Sequence, residues 1–294
     1  MLASIFSLNV IQTALELGCI YALVALALFL SYSILNIADL STDGCFTLGC
    51  AVACQVALTG HPILALAAAM AAGVCSGFVT AFLQTRLGVE SIMAGIIVNT
   101  GLYTINLAVM GFSSNVSLLK ADTVFTALKP LLGTYYRLVP AAVLALLAAA
   151  VLVLFLRTRL GLSIRATGDN PDMVRASSIN TAFTVTVGLC IANALTALSG
   201  AILAQYQKTA DINLGTGMVI IGLASLIIGE TLTRKGSVGL KAFGAVLGSI
   251  LYRFIIALAL RLDLPSECLK LISAVIVALA IGLPALRAEK KGAV

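Results

Sequence analysis

Two aspartates four residues apart, Asp39 and Asp43, are the side chains of this sequence best placed to do chemistry. They lie in NIADLSTDGCFTLG, Asn36 to Gly49, together with Ser41, two threonines and two glycines. On a helix that spacing puts both carboxylates on one face. There they can bind a cation, relay a proton or imitate an aspartyl dyad. Nucleophiles are plentiful, but the sole histidine, His61, falls at an expected loop and offers Ser or Cys no convincing base. The seven cysteines (Cys19, Cys45, Cys50, Cys54, Cys75, Cys190 and Cys268) include one pair four apart, Cys50 and Cys54. All lie in or beside apolar runs, where cysteine packs as a small hydrophobe. With no CxxC and no second histidine, no metal site is expected.

The elements that must position these groups belong to a membrane. Of 294 residues, 61% are hydrophobic and 10% charged, and the mean hydropathy is +1.10. A soluble domain covers itself with about 25% charged residues, so this composition excludes a water-exposed globule. At about 20 residues per crossing, the expectation is an all-α polytopic membrane protein of about nine spans: 14–35, 45–60, 62–84, 91–110, 138–156, 181–206, 214–231, 238–260 and 268–286. The chain reads as one transmembrane domain, 1–294. The N-terminus lacks the basic region of a cleavable signal and is expected to remain in the mature chain.

The net charge of +6 is spread over short loops, which points to topology rather than to nucleic acid. Arg86, then Arg157, Arg159, Arg165 and Arg175, then Arg234 and Lys235, and a basic tail at 287–294 with Arg287, Lys290 and Lys291 share one side. That side is expected to be the cytoplasm, which leaves the N-terminus outside and the C-terminus in. The opposite set, Lys120, Lys129, Arg137, Lys208 and Arg261, is partly balanced by Asp122, Asp211, Asp263 and Glu267.

NIADLSTDGCFTLGCAVA after the first span resembles KTADINLGTGMVIIGLAS after the sixth, as expected of an inverted repeat with broken helices. Two readings of Asn36–Gly44 stand side by side: a plain turn between spans, or a broken segment beside a solute path, where irregular backbone at depth is tolerated. On the second, Asn36, Asp39, Ser41, Asp43, Asn99 and Asp211 are the candidate path residues. Asn106 and Asn193 are expected to join helices by hydrogen bonds, and Glu230 to pair with Arg234. GVCSG (Gly73–Gly77) and GAVLG (Gly244–Gly248) signal close helix packing.

The connection RTRLGLSIRATGDNPDMVRASSIN, residues 157–180, carries the most local information. Asn170 is a good N-cap, Pro171 suits the first helical position, and Asp172 favours the positive helix end. The pattern predicts a short surface helix over Pro171–Ser178, either a solvated connector or a docking element.

The segment TRLGLSIRATGDNP followed by SIN resembles the coupling segment in permease subunits of the branched-chain amino acid and ribose class of ATP-binding-cassette importers. That family typically reads T-R-x-G-x-x-I-R-A-x-G-x-N-P, then G-I-N. Thr158, Arg159, Gly161, Ile164, Arg165, Ala166, Gly168, Asn170 and Pro171 match; Ser178 stands where a glycine is usual. ALVALALFLSYSILNIADLSTDGCFTLG, MAGIIVNTGLYTINLAVMG and GLASLIIGETL extend the likeness from about residue 20 to about 285. The resemblance implies a pore-forming subunit, working as a pair (a homodimer), driven by two cytosolic ATPase subunits and fed by an extracytoplasmic solute-binding protein. It implies that Arg165, Ala166, Gly168, Asn170, Pro171, Asp172, Met173 and Arg175 couple to the ATPase. It places the chain in the bacterial inner membrane, with an amino acid, aromatic ones included, as the solute. The chain has no GxxxxGK[ST], so no cofactor is expected in it; ATP and Mg would sit on the partner. An ion-coupled secondary transporter using intramembrane aspartates, a sugar or nucleoside permease, and an intramembrane enzyme remain the competing readings.

Overall fold

A computed structural model describes residues 8–119, 121–233 and 237–261, with the single positions 271, 275 and 278. Apart from those three positions the expected span 268–286 lies outside the described residues, as do the tail 287–294, Cys268, Lys120, Asp263, Glu267, Arg234 and Lys235.

Among the described residues eleven α-helices follow one another: α1 (Leu8–Leu28, continued by a π turn at Phe29–Ile34), α2 (Thr42–Leu58), α3 (Pro62–Thr85), α4 (Ser91–Val109), α5 (Val124–Leu132), α6 (Leu138–Leu156), α7 (Arg159–Asp169), α8 (Pro171–Ala176), α9 (Thr181–Gln207), α10 (Met218–Leu232) and α11 (Val238–Arg261). Six helical stretches among the described residues are long and apolar enough to cross a membrane: Val10–Ile34, Pro62–Thr85, Ser91–Val109, Leu138–Leu156, Thr181–Gln207 and Val238–Ala259. The two remaining apolar helices, α2 and α10, are shorter. At 1.5 Å per residue they span about 26 and 22 Å, less than a hydrocarbon core of about 30 Å. They fall at two of the expected spans, 45–60 and 214–231, and each is preceded by non-helical backbone, at 36–39 and around 212–217.

The centre of the bundle is α1 and α9, with 78% and 83% of their span windows buried, against 28% for α4. Small residues let these helices close on each other. Gly73 and Gly77 pack on backbone of α9 at Asn193 and Leu189, while Gly244 and Gly248 face Gly229 and Ser225 of α10, as the two GxxxG motifs led one to expect. Polar side chains add inter-helix bonds: Ser199 Oγ donates to the Ile20 carbonyl at 2.7 Å, and Ser249 Oγ to that of Gly18 at 2.8 Å. Glu16 is buried within α1, where Gln12 Nε2 and Tyr206 Oη donate to its two carboxylate oxygens at 2.9 and 2.8 Å.

At one end of the bundle two three-residue strands, β1 (Asn115–Ser117) and β2 (Thr209–Asp211), pair antiparallel with Val116 opposite Ala210. At the other end lie α7 and α8.

Candidate functional site

The extended segment after the π turn is held through its buried polar side chains. Asp39 is 3% exposed; its Oδ1 accepts from Ser41 N at 2.8 Å and its Oδ2 from Asn193 Nδ2 at 2.9 Å. Thr42 Oγ1 donates to the Asp39 carbonyl at 3.0 Å. Ser41, fully buried, accepts from Thr80 Oγ1 at 3.3 Å. These bonds join the segment to α3 and α9, so Asp39 and Ser41 act as joints. Asn36 is exposed, with a left-handed backbone at φ 56°, a conformation asparagine tolerates better than most residues.

Asp43 opens α2 and reaches the start of α10. Its Oδ2 accepts from Gly217 N and its Oδ1 from Val219 N, both at 2.9 Å. A carboxylate on the unpaired N–H groups of a helix start satisfies them and opposes the positive end of the helix dipole. Thr47 Oγ1 accepts from Gly215 N at 3.1 Å. The two polar stretches that resemble each other in sequence thus meet where the two short helices begin. The far end of α10 is tied as well, since Ser33 Oγ of the π turn donates to Glu230 Oε1. The ion pair expected for Glu230 involves Arg234, which is not among the described residues.

Beside this junction is a cavity of about 210 Å³, lined by Asp43, Gly44 and Thr47 of α2, Asn99, Thr100, Tyr103 and Asn106 of α4, and Ile212, Asn213, Gly215 and Thr216 of the segment before α10. Of the candidate path residues it gathers Asp43 and Asn99. Asn36, Asp39 and Ser41 are not in its wall, and neither is Asp211, whose Oδ1 accepts from Asn213 N at 2.8 Å. Asn106 joins helices as expected, with Nδ2 donating to the Gly44 carbonyl at 3.0 Å, yet it also lines the cavity. Tyr103 and Asn106 follow Asn99 at α-helical spacing, with Thr100 beside it, a polar face that the sequence displayed and that the reading of single residues passed over.

A second omission is Arg253, fifteen residues into the apolar helix α11. Its guanidinium carbon lies 3.6 Å from the centroid of the Tyr21 ring, and Tyr21 in turn stacks on Phe46 of α2 at 6.2 Å. Its Nε is buried without a hydrogen-bond partner, and the only ion pair among the described residues is Asp172 with Arg175. An arginine inside an apolar run was signal enough to find it.

At the opposite end from the β ribbon, α8 forms where capping predicts it. Asn170 Oδ1 accepts from Asp172 N and Met173 N, both at 3.1 Å. The helix is Pro171–Ala176, two residues shorter than expected, because Ser177 is already outside it and Ser178 turns left-handed at φ 60°. Asp172 and Arg175 form an exposed pair at 3.6 Å, and Met173 is 64% exposed. Only Val174 of this helix is buried. Arg165, Ala166 and Gly168 belong to α7, and Gly168 touches the carbonyl of Ile34 in the π turn so closely that no side chain fits between them. Thr167 shares a 2.8 Å hydrogen bond with Thr184 of α9. The helix that precedes the exposed one, α7, is therefore in backbone contact with the π turn that leads into the polar segment.

Among the described residues no group of His, Cys, Asp and Glu is arranged to hold a metal. Cys45 and Cys50 donate to the backbone carbonyls of Asn193 and Gly200 at 3.3 and 3.1 Å, which is the packing role expected of them.

The family described as "Branched-chain amino acid transport system / permease component" matches residues 10–281. A tyrosine transport system permease protein of Clostridioides difficile (strain R20291) is 34% identical over 259 residues, covering 88% of this chain and 85% of that one. Uncharacterized protein RP368 of Rickettsia prowazekii (strain Madrid E) is 31% identical over 273 residues, covering 92% and 95%. No solved structure matches the chain significantly.

Proposed function

This chain belongs to the permease components of branched-chain amino acid transport systems, multi-pass proteins of the inner membrane, and on that premise we propose that it is the pore-forming subunit of an ATP-binding-cassette importer for an amino acid. The family places it in a transporter with ATPase and binding-protein partners in general. The finer reading is two ATPase subunits, a second copy of this chain and one external binding protein, with ATP and Mg bound on the ATPases and no chemistry in this chain. The relative named for tyrosine transport favours an aromatic amino acid as the solute. The end bearing α7 and α8 would face the cytoplasm, as the lysine and arginine distribution suggests.

The observation that carries this reading is α8: a capped helix with one buried residue, standing out from the bundle, is otherwise hard to account for. In the proposed cycle ATP binding draws the two ATPases together and moves α8. Gly168 and Thr167 pass that displacement to the π turn and α9, and the extended segment passes it to Asp43 and the start of α10. A movement at the motor would so reach the junction of the two short helices.

The test is uptake into proteoliposomes holding this chain, its copurifying ATPase and the binding protein. ATP-dependent uptake of labelled tyrosine that is lost in Arg165→Ala and Asp172→Ala, with both variants still folded in membranes, is the expected result. Uptake by this chain alone, sensitive to protonophore and indifferent to ATP, would replace the reading by an ion-coupled transporter.

A further inference from the structure

The cavity beside Asp43 has a lopsided chemistry. Of its eleven lining residues one, Asp43, carries a formal charge, and none is lysine, arginine or histidine. Asp43 spends one lone pair of each oxygen on Gly217 N and Val219 N; a carboxylate has about four such sites, so acceptor capacity remains. Asn106 is 1% exposed, and its Oδ1 is buried with no hydrogen-bond partner. The amide cannot be reversed to hide that oxygen, because the carbonyl of Gly44 demands the N–H₂ end, which it receives at 3.0 Å. A buried acceptor without a donor is costly, and Asn106 is one of the residues lining a space a small group can enter. Asn193 also has an unpartnered Oδ1, but it does not line this cavity. Thr47 and Thr100 have bonded their hydroxyls to backbone groups, whereas the side chains of Asn99 and Tyr103 make no hydrogen bond among the described residues.

We propose that this cavity is an amine subsite: it receives the protonated amino group of the passing solute on Asn106 Oδ1 and the free lone pairs of Asp43, and it turns away net anions. The inference rests on the permease reading above and adds to it which end of the solute is recognised. About 210 Å³ accommodates the head of a small zwitterion, and Tyr103, 54% exposed, offers a ring face at the rim for an apolar side chain. A negative, cation-free wall raises the local concentration of cationic groups and lowers that of anions. The task of the site is discrimination of charge during passage, with tight binding left to the protein that delivers the solute.

The experiment uses the reconstituted complex with Thr216→Cys as reporter, mixed-disulfide formation at that position, with methanesulfinate as the leaving group, being read by peptide mass. Thr216 lines the cavity and is exposed. Relative to the ratio of the same two reagents on free 2-mercaptoethanol, cationic 2-aminoethyl methanethiosulfonate is expected to gain about tenfold over anionic 2-sulfonatoethyl methanethiosulfonate, which corresponds to about 1.4 kcal/mol; a normalised ratio that is unchanged or inverted overturns the proposal. L-tyrosine and tyramine, which keep the amino group, should protect the cysteine, and 3-(4-hydroxyphenyl)propionate, which lacks it, should not. Protection by the acid, or by none of the three, overturns it. Asn106→Leu should weaken amine protection about tenfold while Asn106→Gln, which keeps both an amide donor and an acceptor, retains it; equal protection in both variants overturns the role of Asn106. Absence of ATP-driven uptake in the parent complex would instead sink the permease reading, so the two failures are separable.

Discussion

Asp43 grips Val219 across the start of a helix 176 residues away in sequence, its Oδ1 taking the Val219 amide at 2.9 Å while Oδ2 takes Gly217 N. One side chain thereby caps a helix that is not its own and ties the origins of the two short helices together. Replacing a capping aspartate by alanine costs about 0.5–2 kcal/mol, and here two buried N–H groups lose their acceptor. Asp43→Ala is expected to lower the thermal midpoint of the detergent-purified protein and to abolish uptake. Asp43→Asn, which keeps an acceptor oxygen, should recover most of the midpoint. An unchanged midpoint in Asp43→Ala would show that the junction is not held by this carboxylate.

Asp39 makes a different prediction although it is the other half of the same sequence pair. Both of its oxygens are occupied, by Ser41 N and Asn193 Nδ2, and it is 3% exposed. Asp39→Ala leaves two buried donors unmet at about 1–3 kcal/mol each. The expected outcome is poor recovery of monodisperse protein from membranes, measured by fluorescence-detected size exclusion. A well-folded Asp39→Ala with altered ion dependence would instead place Asp39 on a solute or ion route.

That divergence shows what the sequence could and could not reveal. The apolar runs, the GxxxG contacts and the Asn170 cap were legible because each is decided locally, by hydrophobicity, residue size or one side chain on the next turn. The break at 36–44 was legible only as polarity in the wrong place. Which carboxylate faces a cavity depends on Asn193 and Gly217, more than 150 residues distant, and no spacing within the stretch encodes them. The polar face Asn99–Tyr103–Asn106 was written at helical spacing, but only the arrival of α2 beside it turns a polar face into a cavity wall. Arg253 was legible outright and was missed.

Ser178 departs from the glycine usual at its position, and the structure puts it at φ 60°, where an L residue pays about 1–2 kcal/mol. Glycine pays more in the unfolded chain, about 0.5–1 kcal/mol, which offsets part of the gain. Ser178→Gly should therefore stabilise the exit turn of α8 modestly, by up to about 1 kcal/mol. Hydrogen exchange at Ile179 and Asn180 reads this directly: slower exchange is expected, and faster exchange would mean that Ser178 favours the turn for another reason.

Arg253 has no carboxylate partner among the described residues, and its contact is the face of Tyr21. Such a contact is worth about 2 kcal/mol when desolvated. Tyr21→Leu removes the ring and should destabilise the protein more in the parent than in an Arg253→Met background, where no cation needs it. A double-mutant cycle on thermal midpoints gives the coupling; additive effects would assign Arg253 another partner.

Gly168 of α7, just ahead of the exposed helix, meets Ile34 of the π turn, just ahead of the polar segment, and a change there can separate the proposed motor contact from a merely structural one. A Cβ there would enter the carbonyl of Ile34; backbone cannot swing aside as a side chain can, and such overpacking costs about 1–3 kcal/mol. Asp172, by contrast, is exposed and its pair with Arg175 contributes at most about 1 kcal/mol. Gly168→Ala leaves the surface of α8 intact, so the ATPase should still copurify and still hydrolyse ATP, but the displacement passed to Ile34 and onward to Asp43 is altered. The expected signature is ATP hydrolysis retained with uptake reduced at least severalfold, whereas Met173→Glu, which changes the exposed surface, should lose the ATPase itself. If Gly168→Ala transports normally per molecule of ATP, force does not travel through this contact, and the route from α8 must run by Thr167 and α9 alone.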